Sequence, residues 1–339
     1  MKTIKINGRA VGEGQPVFVI AEAGVNHNGD FDAAYKMVKV AKDAGADAVT
    51  FQHIVAEKLN SKKVKSKFTN ADWNKWELSA PQLKKLCDYA RSLELQYSIC
   101  VIDEKSLDLV VSYGISFIKI VSGDLTDLPF LKYCARTKLP IFMSTGGSTI
   151  DEVKDAVHAI ESEGNHSIVL YHTNSSYPTP PNEVNLRILE TLNNEFDYPA
   201  GFCDHTVEVM TSVIAAARGA CVIEKHFTLD RNKKAPDFEV SLEPSELKQM
   251  IHEIRFIEQV LGTPERRLLE CERECIKLSR RSIASRTRIP AGSVITEKML
   301  AFRRPGTGIQ PKDADKIIGK KAKIDIDENV LIEMHALSE

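Results

Sequence analysis

Short runs of apolar residues recur along most of the chain at intervals of about twenty-five positions. Eight such runs lie at residues 17–21, 48–51, 96–101, 117–121, 141–143, 168–171, 200–203 and 221–223. Each run is almost continuously apolar, which is typical of the strands of a parallel sheet covered by helices. The pattern therefore predicts eight consecutive buried strands.

The segments between these runs have helical periodicity. In the first of them, Ala33, Met37, Val40, Ala41 and Ala44 place apolar side chains three or four positions apart, which is the spacing of one helix face. Strand and helix therefore alternate, and eight such units predict an α/β fold, the closed (β/α)8 TIM barrel. In this fold the chemistry lies at the carboxyl ends of the strands.

The last part of the chain has a different pattern. A chain of 339 residues exceeds the about 250 to 300 residues that one core usually organises. We therefore expect a barrel at residues 1–262, a charged linker at 263–280 and a small domain at 281–339. Short β-prone runs and turn-rich segments alternate in the small domain, which predicts a β-rich module. Because about sixty residues are marginal alone, we expect this module to pack on a barrel, its own or a partner's.

The composition excludes several classes of function. There are 45 Lys and Arg against 47 Asp and Glu, a formal net charge of -2, which gives no overall attraction to nucleic acid or to anionic membranes. No apolar stretch approaches the about 20 residues that cross a bilayer, so we expect a cytoplasmic protein. The seven cysteines are scattered, and their pattern favours buried thiols over a disulfide framework.

Polar side chains collect where the predicted strands end. The successive strand ends carry carboxylates, an amide, a lysine, hydroxyls and imidazoles: Glu22, Gln52, Lys119, Ser122, Asp124, Ser144, His172, Ser175, Tyr177, His205 and His226. Each of these groups is costly to bury without a partner. Their accumulation at one rim predicts an active site there.

Two of these groups, His205 and His226, end consecutive strands. Because side chains alternate along a strand, Cys203 should point into the barrel with His205, and Glu224 with His226. By the same rule, Lys225 should point towards the helices. A lone histidine is most often a satisfied core residue, but two at one rim favour a metal site. Two imidazoles suit a divalent ion such as Mn, Fe, Co or Zn that completes its shell with water and substrate oxygens.

Two turns at strand ends, residues 122–123 and 144–147, combine hydroxyl groups with glycine. Such turns can point backbone N–H groups at an anion. Lys119, three residues before the first turn, adds a positive charge nearby. Glycine after a barrel strand can also serve the turn alone. The combination with Lys119 favours binding of a phosphate or a carboxylate.

Several motifs of the chain resemble those of a known family. The motifs are residues 18–29, 119–124, 144–146, 177–180, 204–206, 224–228, Pro236-Asp237 and 241–244. They are similar to motifs of the sialic acid synthases, which make N-acetylneuraminic, legionaminic and pseudaminic acids. The resemblance extends to a C-terminal antifreeze-like (SAF, β-clip) domain with Arg303-Arg304-Pro305-Gly306, and so covers essentially the whole chain.

The resemblance implies a reaction and a cofactor. Phosphoenolpyruvate would condense with the open-chain aldehyde of an N-acetylated mannosamine-type sugar and release phosphate, which makes the protein a transferase that forms a C–C bond. His205 and His226 would hold the metal, usually Mn2+ in the family, with Mg2+ or Co2+ as alternatives. We expect N-acetylneuraminate synthesis, with legionaminic or pseudaminic acid synthesis as the alternatives.

The resemblance also implies roles for individual residues. Those near the reacting carbons would be Glu22, Lys119 and Asp124. Those that bind phosphoenolpyruvate would be Lys119, Ser122, Ser144, Ser175 and Cys203. Those that face the sugar would be Gln52, Tyr177, Asp237 and Arg304. Arg304 would reach over the barrel of the other subunit, so the expected assembly is a domain-swapped homodimer.

The chain departs from the family pattern at a few positions. Thr50 stands where the family has an inward-facing lysine, so one cation for the phosphate is missing. Cys203 replaces a serine, Asp124 is one methylene shorter than the usual glutamate, and Ser175 replaces the asparagine of some members. Two other functions are therefore kept as alternatives: a metal-dependent aldolase or hydrolase on the same barrel, and a degenerate sugar-binding homologue.

Overall fold

Eight parallel strands form the central sheet of the computed structural model, which describes residues 2–59 and 69–338. In chain order, after an antiparallel hairpin of β1 (Thr3–Ile6) and β2 (Arg9–Gly12), the barrel strands are β3 (Phe18–Gly24), β4 (Ala48–Gln52), β5 (Gln96–Cys100), β6 (Ile118–Ile120), β7 (Ile141–Ser144), β8 (Ile168–His172), β9 (Ala200–Asp204) and β10 (Val222–His226). Each apolar run predicted from the sequence overlaps one of these strands.

The sheet runs in the order β5-β4-β3-β10-β9-β8-β7-β6. Its two outer strands approach each other, because the backbone N–H of Ser116 donates to Tyr97 O at 2.7 Å and the Ser98 hydroxyl donates to Phe117 O at 2.6 Å. These bonds bring the first and last strands of the sheet together, so the predicted eight-stranded TIM-type barrel is confirmed.

Helices follow the strands along the chain. They are α1 (Phe31–Ala44), α2 (Ala56–Leu59), α3 (Asn70–Trp76), α4 (Ala80–Ser92), α5 (Glu104–Ser112), α6 (Leu128–Arg136), α7 (Ile150–Ser162), α8 (Ile188–Glu195), α9 (Val209–Ala217), α10 (Pro244–Leu261) and α11 (Arg273–Ser279). Their ends follow local chemistry. The Asp30 side chain accepts from the first free N–H groups of α1, and Gly45 ends that helix at a φ of 91°, which a residue without Cβ adopts without strain.

The barrel has two layers of apolar side chains, one inside the ring of strands and one between the strands and the helices. The inner layer fills the amino-terminal part of the barrel and includes Phe18, Phe117 and Phe142, whose rings pack edge to face or at a tilt. The hairpin β1–β2 adds Ile6 and Val11 to this layer. This hairpin was not predicted from the sequence, because strands of four residues are too short to show a clear alternation.

Inward-facing side chains change character along the strands, and this change positions the site. In β3, Ile20 belongs to the inner apolar layer and Glu22 follows it on the same face. Cys203 lies near the end of β9, and His205 follows directly after that strand. Outward-facing strand residues such as Phe202 pack under the helices. The carboxyl-terminal rim therefore concentrates the polar groups.

The chain divides into two compact units, residues 1–262 and 263–339. The second unit contains α11 and an antiparallel pair of β11 (Ser282–Ser285) and β12 (Leu300–Arg303). It has its own small core, which contains Ile283, Ile295 and Ile332. The β-prone runs at 294–295 and 330–332 form isolated bridges rather than further strands.

Two other structural findings concern thiols and membranes. All seven cysteines lie in the described residues as free thiols, with Cys100 and Cys203 buried and Cys221 partly exposed. Over the described ranges, no helix has the length and apolar character that a membrane crossing requires.

Candidate active site

A cavity of about 160 Å³ opens at the carboxyl-terminal rim of the barrel. Its lining contains most of the residues singled out in the sequence, namely Glu22, Gln52, Lys119, Ser122, Ser144, Ser175, Tyr177, Cys203, His205 and His226, together with Cys100, Val121, Gly123 and Glu224. Three predicted site residues, Asp124, Asp237 and Arg304, are not part of this lining. Parallel strands thus bring together groups that are far apart in the chain.

Glu22, at the end of β3, lies on the wall of the cavity. The Thr50 hydroxyl donates a hydrogen bond to Glu22 Oε2, and Glu22 Oε1 is buried with no hydrogen-bond partner among the described residues. Burial, followed by the charge of Glu224, raises the pKa of Glu22 to about 8. This carboxyl group is therefore protonated near neutral pH and can act as a hydrogen-bond donor.

Lys119 provides a positive charge in the cavity. Its Nζ donates to Glu224 Oε1 at 2.5 Å and lies 4.1 Å from the centre of the Tyr171 ring. Burial lowers the pKa of Lys119, but the Cys203 thiol and the Glu224 carboxylate outweigh it, so the pKa is raised. Lys119 therefore carries its charge, and Glu224 balances it.

Hydroxyl groups from neighbouring strand ends surround Gly146. The backbone N–H of Gly146 donates to Ser122 Oγ at 3.1 Å. A Cβ at position 146 would lie 2.7 Å from Ser175 Oγ and 2.8 Å from Ser122 Oγ, which is closer than real Cβ atoms come. Glycine therefore lets two hydroxyl groups approach this turn next to Ser144, as an anion site requires.

His205 and His226 lie side by side, with ring centres 5.5 Å apart. His205 Nδ1 is 2.7 Å from the carbonyl oxygen of Asn174. Since a carbonyl only accepts, Nδ1 carries the proton, which leaves a lone pair on Nε2. The Tyr177 ring stacks on His205 with a centroid distance of 4.0 Å. The backbone contact and the stacking fix both the tautomer and the orientation of this imidazole.

His226 has a different environment. Its Nδ1 is buried, makes no hydrogen bond within the described residues, and lies 3.6 Å from Asp237 Oδ2. Burial lowers the pKa of His205 to about 4 and lowers that of His226 well below its ordinary value. Both imidazoles are therefore neutral near pH 7, which is the form that binds metal ions.

The two histidines fit a metal site only in part. The described residues contain no group of three or more His, Cys, Asp or Glu side chains arranged to hold an ion. Nε2 of His205, whose contact is with Cys203 Sγ at 3.5 Å, and the unbonded Nδ1 of His226 are nevertheless suitable donors. Two imidazoles suit a divalent ion whose other positions are filled by water and by substrate oxygens.

A second group of predicted residues meets above Gly24. A Cβ at this position would lie 3.3 Å from Asp237 Oδ2, 3.4 Å from Glu22 Oε1 and 3.6 Å from Gln52 Nε2. Asp237 therefore lies beside the cavity, next to His226, although it is not part of the lining. The absence of a side chain at Gly24 lets these three polar groups converge.

Asp124 and Arg304 do not line the cavity, although Asp124 directly follows Gly123, which does. Asp124 ends a short 3-10 turn, Ser122–Asp124, and burial, followed by the charge of Asp127, raises its pKa to about 6. Its Oδ2 has no hydrogen-bond partner in the described part of the chain. Arg304 belongs to the second unit and is exposed there. Its proposed place over a barrel stays a prediction.

Two residues that line the cavity, Glu224 and Cys100, had no role predicted from the sequence. Strand alternation indicated that Glu224 points inward, but its ion pair with Lys119 joins strands that are far apart in the chain, and no local pattern signals such a pair. Cys100 ends β5 and lines the cavity as a buried thiol. Its position at the end of a predicted strand could have identified Cys100 as a rim residue.

Comparison with known proteins agrees with this geometry. Residues 37–266 match the model of the NeuB family, and residues 280–337 match the SAF domain. The chain is 41% identical to an uncharacterized protein of Methanocaldococcus jannaschii, with 98% of both chains covered. It is 38% identical to the N,N'-diacetyllegionaminic acid synthase of Legionella pneumophila, with 95% of both chains covered. Its structure resembles an N-acetylneuraminic acid synthetase from Leptospira borgpetersenii, with a TM-score of 0.75, 29% identity, and coverage of 81% of this chain and 95% of the other.

Proposed function

The chain belongs to the NeuB family, and we propose that it condenses phosphoenolpyruvate with an N-acetylated mannosamine-type sugar to give a nonulosonic (sialic) acid and phosphate. One observation carries the proposal. A single cavity at the barrel rim combines a charged lysine and several hydroxyl groups with two neutral imidazoles and a protonated carboxyl group. The lysine and the hydroxyl groups suit the phosphate or the carboxylate of phosphoenolpyruvate. The imidazoles and the protonated carboxyl group suit the aldehyde of the sugar, which becomes an alcohol in the reaction.

In this proposal phosphoenolpyruvate binds beside Lys119. The Ser122, Ser144 and Ser175 side chains supply hydrogen bonds to its phosphate or carboxylate, with Cys203 at the base of the cavity. In the ligand-free state Glu224 neutralises Lys119. Binding of the anion therefore competes with this ion pair.

His205 and His226 are the proposed metal ligands. When bound, a divalent ion, most simply Mn2+ with Mg2+ or Co2+ as alternatives, would polarise the aldehyde oxygen of the sugar. The protein contributes the orientation of the imidazoles through Asn174 O and the Tyr177 ring. It also keeps both rings neutral by burial.

Two carboxyl groups divide the proton transfers. As C3 of phosphoenolpyruvate attacks the aldehyde carbon, Glu22, protonated near neutral pH, can give a proton to the aldehyde oxygen. A water molecule then adds to the electron-poor C2, and Asp124, ionised above about pH 6, can take its proton. The bond between C2 and the phosphate oxygen then breaks, the C2 hydroxyl becomes the ketone, and its proton leaves with the phosphate as HPO4 2−. Return of the proton from Asp124 to Glu22 through solvent restores both carboxyl groups.

The sugar is proposed to lie against Gln52, Tyr177 and Asp237, on the side of the cavity nearest His226. Among the described residues of the cavity lining there is one lysine and no arginine. Lys119 is needed for phosphoenolpyruvate, so this lining favours an acceptor without a phosphate of its own.

A homodimer would complete the site with Arg304 of a second chain. Exposed apolar side chains support self-association of the barrel: Met210 and Ile214 project from α9, and Phe256 and Val260 project from α10. Helices α9 and α10 are neighbours in the barrel. Burial of these side chains against a second copy would remove apolar surface from water.

A second acceptor has specific support. The relative from Legionella pneumophila makes N,N'-diacetyllegionaminic acid and is 38% identical over 95% of both chains. The hexose precursor of that product is therefore the second candidate substrate, and the pseudaminic acid precursor is the third.

The test is to incubate the purified protein with phosphoenolpyruvate, Mn2+ and one acceptor at a time, and to measure phosphate. The acceptors are N-acetylmannosamine, its 6-phosphate, and the legionaminic and pseudaminic precursors. We expect release only when an acceptor is present, and fastest with an unphosphorylated one. Binding of sugar without phosphate release from any pair would instead identify a degenerate sugar-binding homologue.

A further inference from the structure

The two residues that immediately precede the histidines, Asp204 and Lys225, form a buried ion pair. Asp204 is the last residue of β9 and directly precedes His205, and Lys225 precedes His226 in β10. Asp204 and Lys225 stand opposite each other in the strand register. Lys225 Nζ lies 3.3 Å from Asp204 Oδ2, and both side chains have no solvent exposure. Neither residue lines the cavity. The pair therefore lies on the outward face of the same two strands.

Each charged group of the pair also has further hydrogen bonds. Asp204 accepts from the backbone N–H of Thr206 at 2.7 Å and from the Ser212 hydroxyl of α9 at 2.6 Å. Lys225 Nζ donates to the carbonyl oxygen of Thr206. Asp204 and Thr206 flank His205 in the chain. The backbone N–H and the carbonyl oxygen of Thr206, the residue directly after His205, are thus held by one side chain from β9 and one from β10.

Packing alone does not explain this pair. The neighbouring outward positions on the same strands, Phe202 and Ile223, are apolar and pack under the helices. Replacing a buried ion pair by apolar residues of similar volume is often neutral or stabilising, because desolvation of the two charges offsets their attraction. What an ion pair adds is a fixed geometry, since its groups must meet at defined distances and angles.

We propose that Asp204 and Lys225 are positioning residues that set the separation of the His205 and His226 imidazoles for a shared divalent ion. They act by locking the ends of β9 and β10 in register on the face opposite the cavity. This inference rests on the metal site of the proposed function and adds to it two residues that touch neither the ion nor the substrates.

The test is the affinity of the protein for Mn2+ alone, measured by calorimetry on the full chain stripped of metal. In the double variant Asp204→Asn/Lys225→Met, the asparagine keeps bonding partners for Thr206 N and Ser212 Oγ, and the methionine fills the volume of the lysine stem. We expect a folded protein whose Kd for Mn2+ rises about tenfold or more, as is typical when support of metal ligands is lost.

The matched control is Ile223→Ala, which loosens the same strand at an outward apolar position. It should lower the melting temperature without a comparable change in the Kd for Mn2+. If Ile223→Ala weakens Mn2+ binding as much as the double variant does, or if the double variant binds Mn2+ like the unmodified protein, the positioning role is wrong. Should the double variant not fold, Lys225→Met alone serves the same comparison, because Asp204 keeps its hydrogen bonds from Thr206 N and Ser212 Oγ.

Failure of the metal site itself gives a different result. In that case the unmodified protein would bind Mn2+ no better than His226→Ala does. This outcome would overturn both the metal assignment and the inference, whereas normal Mn2+ binding by the double variant would overturn the inference alone.

Discussion

Single residues in the site differ in protonation because they differ in burial. The pKa of Glu22 is raised to about 8 and that of Asp124 to about 6, in each case first by burial. Near neutral pH the first is an acid and the second a base. The proposed division of proton transfers follows from these two environments rather than from residue type.

Asp124 should make the protein less stable at the pH where the proposed reaction needs its charge. Because its pKa is raised from 3.8 to about 6, its contribution to stability is fully present below about pH 3.8 and is lost as the pH rises through about 6. Asp124→Asn should therefore raise the melting temperature more at pH 7.5 than at pH 4.5. It should also lower kcat about a hundredfold. An equal change in melting temperature at both pH values would contradict the raised pKa.

Thr50 should limit the affinity for phosphoenolpyruvate. It is fully buried and donates to Glu22 instead of offering the cation expected at this position. Thr50→Lys should lower the KM for phosphoenolpyruvate about tenfold and change that of the sugar less. Thr50→Met is the control, because it adds similar length without charge. If both variants change KM alike, or if Thr50→Lys raises it, another group already balances the phosphate.

At the scale of elements, the turn after β7 links local backbone to anion binding. Gly146→Ala would push its Cβ against Ser175 Oγ and Ser122 Oγ. We expect about a tenfold higher KM for phosphoenolpyruvate with little change in the KM for the sugar. The KM for the sugar, measured on the same variant, is the internal control. Equal changes of the two KM values in steady-state kinetics would show that the crowding at Gly146 does not act on the anion site.

Elements were predicted from the sequence where their signal is local. The continuous apolar runs located the barrel strands, and alternation correctly placed Glu224 towards the cavity and Lys225 away from it. The hairpin β1–β2 was missed because its strands are too short. The pairs Lys119–Glu224 and Asp204–Lys225 were missed because each depends on which strands become neighbours, and that is a property of the closed barrel.

At the scale of the whole molecule, the proposed site needs two chains. Mixing inactive His226→Ala and Arg304→Ala chains should restore activity, because one of the two sites in each mixed dimer has both residues. Random exchange of equal amounts would return about a quarter of the normal sites. Subunit exchange can be verified with differently tagged chains. If exchange occurs and no activity returns, Arg304 does not act in trans.

In the proposed reaction, phosphate leaves from C2 of phosphoenolpyruvate only as a new C–C bond forms. The most direct measurement uses phosphoenolpyruvate carrying 18O in the oxygen that bridges C2 and phosphorus, together with the preferred acceptor and Mn2+. Attack of water on C2 predicts that all of the label appears in phosphate, in equal amount to the nonulosonic acid formed. Label retained in the organic product, or phosphate released without acceptor, would show P–O cleavage or simple hydrolysis and would contradict the account.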